Sequence, residues 1–452
     1  MKKIKFAPST TQIILISFLA VILLGSILLS LPFSAKNGES VPYIDALFTA
    51  TTATCVTGLV TLPTVSTWST FGHIVILLLI QIGGLGTITV LSALMVALNR
   101  KFGLKDSQLI QDAFNLNTSS GLAKFVKKVV IGTLLIEGAG ALLYMTVFVP
   151  EFGARGIFIS VFNSISAFCN AGIDIIAENS LCAYVKNPII NIVTCALIIL
   201  GGIGYIVWWD IIRVAKNIRK QRFRAFFGLT LHSKIVISST AALIIGGAAL
   251  IFAFEYQNPL TIGDFSLWDK ISAALFQSVT TRTAGFASVA QEHLTNASAI
   301  VCLLLMFIGG SPVGTAGGVK TATAVVLFAT AVSAIRNKNE VTLFNRSISE
   351  QIIRKSVAVT GMSFIIMILS TVLLASVTDA QMLDVLYETV SATATVGLTR
   401  GLTPLLNFAG KVIIIATMYF GRIGPISLAI AFNVKKELSN NIKNPTENIS
   451  VG

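Results

Sequence analysis

Charge is scarce in this chain. Only 12% of its 452 residues are Asp, Glu, Lys or Arg, against 54% that are hydrophobic. A soluble domain carries about 25% charged residues, so the shell a water-soluble fold of this size requires cannot be built. Soluble enzymes, nucleic-acid-binding modules and disordered regulators are excluded together. Histidine is scarcer still: His73, His232 and His293 are scattered with no ligand spacing. The five cysteines, Cys55, Cys169, Cys182, Cys195 and Cys302, form no CxxC and no paired pattern, so neither a disulfide framework nor a zinc site is indicated. Carboxylates within the apolar runs are nearly absent. Glu137 stands alone in one of them, facing a partner on a neighbouring helix that the sequence does not name.

Apolar runs dominate instead. Stretches long enough to span a bilayer recur at about 11–32, 70–98, 126–149, 188–210, 233–255, 297–333, 355–378 and 406–432. The first follows a basic start, yet Thr11 to Leu31 exceeds the 7–15 residues of a signal-peptide core, so it is read as an anchor. Twenty-four of the 33 Lys and Arg fall at 2–5, 100–128, 213–234, 336–355 and 435–443, the positive-inside signature of cytoplasmic loops. The net charge of +13 therefore marks a membrane face and not nucleic acid. Eight spans return the chain to one side, which puts both termini in the cytoplasm. The opposite connections hold twelve acids against six bases and would concentrate cations.

Those connections also carry second apolar stretches of re-entrant length, at 43–53, 156–168, 267–280 and 381–392. Each runs into a small-residue turn. The turns are Thr54-Cys55-Val56-Thr57-Gly58, Phe168-Cys169-Asn170-Ala171-Gly172, Thr281-Arg282-Thr283-Ala284-Gly285 and Thr393-Ala394-Thr395-Val396-Gly397. Phe48, Phe162, Leu275 and Tyr387 stand ten residues before the glycines. A second glycine site, Gly83-Gly84, Gly201-Gly202, Gly309-Gly310 or Gly421, follows in the next helix. The chain thus divides into four tandem repeats at 1–98, 99–212, 213–333 and 334–452, the last including the C-terminal tail. The fold class is an all-α membrane protein: four helix–pore-helix–helix units, eight transmembrane helices, around a pseudo-fourfold pore.

Non-helical backbone at membrane depth is tolerated only in a protein interior or along a wet cavity. Four short helices ending in glycine turns would bring unpaired carbonyls to one axis, where oxygens replace the hydration shell of a cation. Glycine is required because it alone readily takes φ > 0. Arg282 is a cation inside such a turn, so its side chain is expected to point off the axis, toward an acid or a pore-helix carbonyl.

Unit three contains one further segment, Gly309-Gly310-Ser311-Pro312-Val313-Gly314-Thr315-Ala316-Gly317-Gly318-Val319-Lys320, midway along its last span. No regular helix survives that composition, so it reads as a loop under the turns and a candidate gate. It is not a phosphate-binding loop, because Val319 stands where GxxxxGK[ST] demands glycine. Lys320 is expected near the lower pore or at the cytoplasmic end of the broken helix. Arg422, in Tyr419-Phe420-Gly421-Arg422-Ile423-Gly424-Pro425, occupies the corresponding depth of unit four. A charge there is functional by default, and its guanidinium is expected to donate to the loop's carbonyls.

These motifs, with Gln81-Ile82-Gly83-Gly84-Leu85-Gly86 and Thr395-Val396-Gly397-Leu398-Thr399, resemble the Trk/Ktr/HKT superfamily of potassium transporters over nearly the whole length. The start near Thr11 looks like the Ktr-type membrane subunit more than the longer Trk form. The resemblance implies a potassium-conducting subunit in the plasma membrane, with K⁺ as substrate, Na⁺ as activator or co-ion and no cofactor. It further implies a homodimer, each subunit with its own pore, under a cytosolic nucleotide-binding RCK-type ring. That ring would dock on the basic loops, which also face lipid headgroups, and the tail ending Ser450-Val451-Gly452 would reach the dimer contact. Glycine in all four turns favours potassium, though none reads TVGYG, so modest selectivity is expected. A cation-coupled secondary transporter with alternating access is the competing reading; it would favour inverted repeats and midplane acids, and here the repeats run in one direction.

Overall fold

The structure is a computed structural model that describes residues 10–98, 103, 107, 111, 121–216, 228–338 and 340–424. The basic stretches 2–5 and 435–443, most of 100–128, the middle of 213–234 and the tail to Gly452 lie outside the described residues.

Each unit begins with a long helix: α1 (Thr10–Leu29) in the first, α5 (Leu122–Phe152) in the second, α9 (Leu231–Glu255) in the third and α13 (Glu350–Ala375) in the fourth. All four are long and apolar enough to cross a membrane. Leu19, Leu24, Leu135, Leu142, Ile245, Ile365 and Leu369 stay exposed along them, as helices that face lipid require. A shorter helix follows in each unit: α2 (Tyr43–Cys55), α6 (Ala154–Cys169), α10 (Leu267–Thr280) and α14 (Met382–Ala394). Asp45, Asp269 and Asp384 lie in the first turns of three of them, where a carboxylate complements the helix dipole. Their far ends are sunk in the interior, and that interior is polar: Thr51, Thr52, Thr54, Ser164, Ser166, Thr280, Thr281, Ser391 and Thr395 are fully buried. The small hydroxylated residues let four backbones approach closely.

The closing spans were expected as continuous helices in units one and two. They are broken. In unit one α3 (Thr70–Leu85) and α4 (Thr87–Ala97) meet at 92°. In unit two α7 (Pro188–Gly202) and α8 (Tyr205–Ala215) meet at 100°. The breaks fall at Gly86 (φ +85°) and Gly204 (φ +91°), a conformation that ends a helix and that glycine adopts without steric cost. Unit three is split more widely, into α11 (Asn296–Phe307) and α12 (Thr321–Ile335). In unit four α15 (Phe408–Ile423) stops at Gly424 (φ +85°).

Ser69, Asn187, Thr295 and Asn407 cap the starts of α3, α7, α11 and α15, each side chain accepting a backbone N–H of the first turn. Such caps contribute about 1 kcal/mol. Each cap stands fourteen residues before Gly83, Gly201, Gly309 or Gly421, so the four second spans begin in one register. Those of units one, two and four break or stop seventeen residues after the cap, at Gly86, Gly204 and Gly424, while that of unit three ends earlier, at Phe307. Beyond α12 the chain makes a small hairpin, Thr342–Leu343 paired with Arg346–Ser347.

Candidate functional site

The five-residue turns are shorter than the sequence suggests. α2, α6 and α14 run on through the first two residues of each, to Cys55, Cys169 and Ala394. The chain then leaves the helix through a left-handed residue, Val56 (φ +55°), Asn170 (φ +59°) or Thr395 (φ +51°). The amides of Thr57, Ala171 and Val396 reach back to the carbonyls of Thr52, Ser166 and Ser391 at 2.8 Å in each case, while the left-handed residue's own amide bonds three residues back. This double closure is the Schellman ending, and it satisfies carbonyls that would otherwise be orphaned. Asparagine suits the left-handed region; the β-branched Val56 and Thr395 do not and store strain of about 1–3 kcal/mol each.

The third turn differs. α10 ends at Thr280, and Thr281 is still right-handed. The amides of Ala284 (2.9 Å) and Gly285 (3.4 Å) both return to the Thr280 carbonyl, and Thr283 takes the positive φ (+69°). The different ending rotates α10 relative to its counterparts. Leu275, expected to match Phe48, Phe162 and Tyr387, is 40% exposed, and Phe276 is the fully buried ring.

Gly58, Gly172, Gly285 and Gly397 all have positive φ, between +63° and +101°, and they form a closed ring. A β-carbon on Gly58 would lie 2.6 Å from the Ala171 oxygen; on Gly172, 2.5 Å from the Ala284 oxygen; on Gly285, 2.5 Å from the Val396 oxygen. On Gly397 it would collide with the Thr57 oxygen, which returns the circuit to the first turn. Each glycine thus abuts the carbonyl that precedes the next. Thr54, Thr57, Thr393 and Thr395 hold buried hydroxyls beside this ring, and Asn170 a buried Oδ1, with no hydrogen-bond partner among the described residues. Buried polar atoms in that state call for a ligand or water.

All four glycines line one cavity of about 430 Å³ together with Asp174, Glu178 and Glu292, and no Lys or Arg lines it. Asp174, in the segment that follows the second turn, is pushed up to about 6 by burial; the Ser180 side chain and the Ile176 and Ala177 amides pull the other way.

Beneath the ring lies the segment 309–320. The Thr315 hydroxyl donates to the Phe168 carbonyl (3.0 Å) and accepts from the Asn170 amide (3.2 Å). The Gly317 amide donates to Thr283 Oγ1 (3.2 Å), and a β-carbon on Gly317 would strike Thr395 Oγ1. Side chains two residues before three of the four ring glycines thus touch this loop. Its other edge rests on the broken second span of unit two: Ser311 and Thr315 donate their amides to Gly202 and Gly201, and Tyr205 donates to Val313. Pro312 O lies against Gly204, Gly310 against Ala316, and Gly314 against Gly201 O. Val313 and Gly318 have positive φ. Lys320, the residue before α12, turns its Nζ back to the carbonyls of Ala316 (2.6 Å) and Gly317 (3.4 Å).

Arg422 donates Nη1–H to the Thr315 carbonyl (2.6 Å) and Nη2–H to the Gly83 carbonyl (2.5 Å). One guanidinium therefore joins the loop of unit three to the span of unit one. Arg282 leaves the ring and reaches the Gly309 carbonyl at 3.3 Å, not an acid or a pore-helix carbonyl; its Nε has no partner among the described residues. Glu137 accepts from Gln81 Nε2 at 3.4 Å, and its own carbonyl accepts from Ser164.

The role of one pair of residues escaped the sequence reading. Gly86 and Gly204, which bend the spans, stand three residues after Gly83 and Gly201; the repeated Gly-x-x-Gly spacing was the available signal. Gly83, Gly201 and Gly421 themselves press against the carbonyls of Thr54, Phe168 and Thr393, all four residues before a ring glycine.

A family model described as "TrkH: Cation transport protein" matches residues 2–444. The chain belongs to the TrkH family. It is 39% identical over 452 residues, all of this chain and 98% of the relative, to the Ktr system potassium uptake protein B of Bacillus subtilis. It is 36% identical over 458 residues, again its full length and 99% of the relative, to the potassium/sodium uptake protein NtpJ of Enterococcus hirae. The crystal structure of the potassium transporter TrkH from Vibrio parahaemolyticus has the same fold: TM-score 0.75 at 16% identity, covering 95% of this chain and 86% of that one. As a TrkH-family member the chain is a multi-pass membrane protein that transports cations and is not an enzyme.

Proposed function

We propose that this TrkH-family chain is the potassium-conducting membrane subunit of a gated uptake system in the plasma membrane, with both termini in the cytoplasm. The observation that carries this reading is the closed ring of four positive-φ glycines under an acid-lined cavity. In it the carbonyls of Thr57, Ala171, Ala284 and Val396 exchange with the hydration shell of K⁺. The orphaned hydroxyls of Thr54, Thr57, Thr393 and Thr395 serve ions or waters on the same path. The relatives named above, one a potassium and one a potassium/sodium uptake protein, support K⁺ as the substrate.

Below the ring, the segment from Gly309 to Lys320, held by Arg422, is the gate. Its hydrogen bonds run to turns two and three, to the span of unit two and to Arg422 of unit four, and Arg422 in turn holds Gly83 of unit one, so it cannot move without releasing contacts on several sides. The name "Ktr system" fits a subunit that works with others: a second copy of itself and a cytosolic nucleotide-binding ring acting on the gate. The name potassium/sodium uptake protein fits sodium as an activator or co-ion.

The test is ⁸⁶Rb⁺ uptake into liposomes holding the purified chain, with and without sodium. Saturable uptake competed by K⁺ over Na⁺, lost or made unselective in Gly58→Ser, is the expected result. Uptake with the same ion preference in Gly58→Ser would remove the ring from the permeation path.

A further inference from the structure

The ring is not braced equally on all sides. Between the third and fourth pore helices, a buried polar network runs through a residue that belongs to neither. Gln277 of α10 and Gln291, beyond the third turn, face each other as a reciprocal amide pair. Gln277 Nε2 donates to Gln291 Oε1 (2.6 Å), and Gln291 Nε2 donates to Gln277 Oε1 (3.0 Å). Gln291 Nε2 also donates to the Val289 carbonyl (2.8 Å), which fixes which end of the amide is nitrogen. From the fourth unit, the hydroxyl of Tyr387 in α14 donates to Gln291 Oε1 (3.0 Å). All four bonding positions of the Gln291 amide are therefore filled, and Gln277, Gln291 and Tyr387 are each at most 2% exposed. The Gln291 backbone is held as well: Arg400, just past the fourth turn, donates Nη1–H to its carbonyl (2.9 Å) while its Nε is paired with Asp384 (2.7 Å).

Phe48 and Phe162 are the counterparts of Tyr387 in the first two units. They are equally buried but have no hydroxyl to offer. Apolar rings resist compression yet allow sliding, whereas a fully satisfied amide network specifies one arrangement.

We propose that Gln291, with Gln277 and Tyr387, is a positioning device that sets the spacing of the third and fourth turns and so the discrimination between K⁺ and Na⁺. These residues touch no ion. They act through the carbonyls of Ala284 and Val396, whose separation decides how well the ring fits the larger cation. The inference rests on the reading of the ring as the selectivity element.

The experiment is ⁸⁶Rb⁺ uptake by the full chain in liposomes, competed by K⁺ or by Na⁺, for wild type, Tyr387→Phe, Gln291→Met and the control Tyr144→Phe. Tyr144 loses a comparable buried bond, to Thr194 Oγ1 (2.6 Å), between α5 and α7 and away from this network. Expected is a fall in the K⁺/Na⁺ competition ratio of about threefold to tenfold, the equivalent of one buried hydrogen bond, in Tyr387→Phe and Gln291→Met, with no change in Tyr144→Phe. An unchanged ratio in Tyr387→Phe overturns the proposal even if Gln291→Met fails to fold. An equal fall in Tyr144→Phe overturns it too, because general loosening would then explain the effect. Gly285→Ser in the same assay separates the two readings: if it keeps the wild-type ratio, the ring itself fails, and if it alone shifts the ratio, only the network fails.

Discussion

Three pore helices end in a Schellman cap and the third does not, yet all four deliver a glycine to the same ring. After the left-handed Val56, Asn170 and Thr395, the amides of Thr57, Ala171 and Val396 close the helices with a 2.8 Å bond spanning five residues. Thr283 is left-handed at the same place in the turn, two residues before Gly285, but the chain reaches it without that bond. Ring geometry is therefore set from the ring outward, by each glycine packing on its neighbour's carbonyl, and the helix ending adapts to it. The third unit also carries the long loop beneath the ring, where the first two have a single bent glycine. The exceptional turn and the exceptional span are joined by the Arg282–Gly309 bond.

The largest effects should test whether the third turn is equal to the others at its glycine. Gly285→Ser and Gly397→Ser each force a β-carbon onto a carbonyl oxygen at a φ that L-residues disfavour. Together the overlap and the strain amount to about 2–5 kcal/mol. Selective uptake should fall by about tenfold to a hundredfold in both, read as K⁺-competed ⁸⁶Rb⁺ flux. A loss confined to Gly397→Ser would mean that the third turn stands apart from the ring.

Next in size is the difference between the two arginines. Arg422 makes two short charge-assisted bonds, Arg282 one long one, and hydrogen bonds to charged groups contribute about 1.5–3 kcal/mol each. Arg422→Ala should raise resting flux about tenfold, and Arg282→Met about twofold to threefold. Flux measured without any regulatory partner checks both. Unchanged flux in Arg422→Ala would leave the loop a structural brace and not a gate.

The repeat and its glycines were legible because a positive φ at a crowded axis tolerates no side chain, so the constraint is written into residue type. Arg422 was legible for a similar reason, since a charge at that depth must have partners. The Schellman caps were not, because Val56 and Thr395 are residues that sequence rules keep out of the left-handed region; only the packed ring imposes it on them. The bends at Gly86 and Gly204 were hidden by the unbroken hydrophobicity of the runs around them. Which face of α10 is buried in unit three was decided by the turn ending, which residue type does not record.

A smaller effect should come from the cavity above the ring, where the acids belong to the second and third units. Asp174 is pushed up to about 6 by burial, so its carboxylate is charged above that pH and neutral below it. Uptake should decline about twofold as the pH on the cavity side falls through 6, one unit charge being lost from a lining it shares with Glu178 and Glu292. Asp174→Asn should sit at the lower rate and lose that inflection. An inflection that survives in Asp174→Asn would reassign it to another group.

The smallest expected effect concerns the register of α10. Counting back from the glycine makes Leu275 the equivalent of Phe48, but the altered ending rotates Phe276 into the core and leaves Leu275 40% exposed. Removing a lipid-facing side chain creates no cavity, so Leu275→Ala should leave uptake unchanged and shift stability by no more than about 0.5 kcal/mol. Phe276→Ala, one residue on, deletes a fully buried ring and should cost about 3–5 kcal/mol. Thermal unfolding of the two variants in one detergent measures the contrast directly. Equal losses would mean that α10 ends as its three counterparts do, and the distinction between the third turn and the others would go with it.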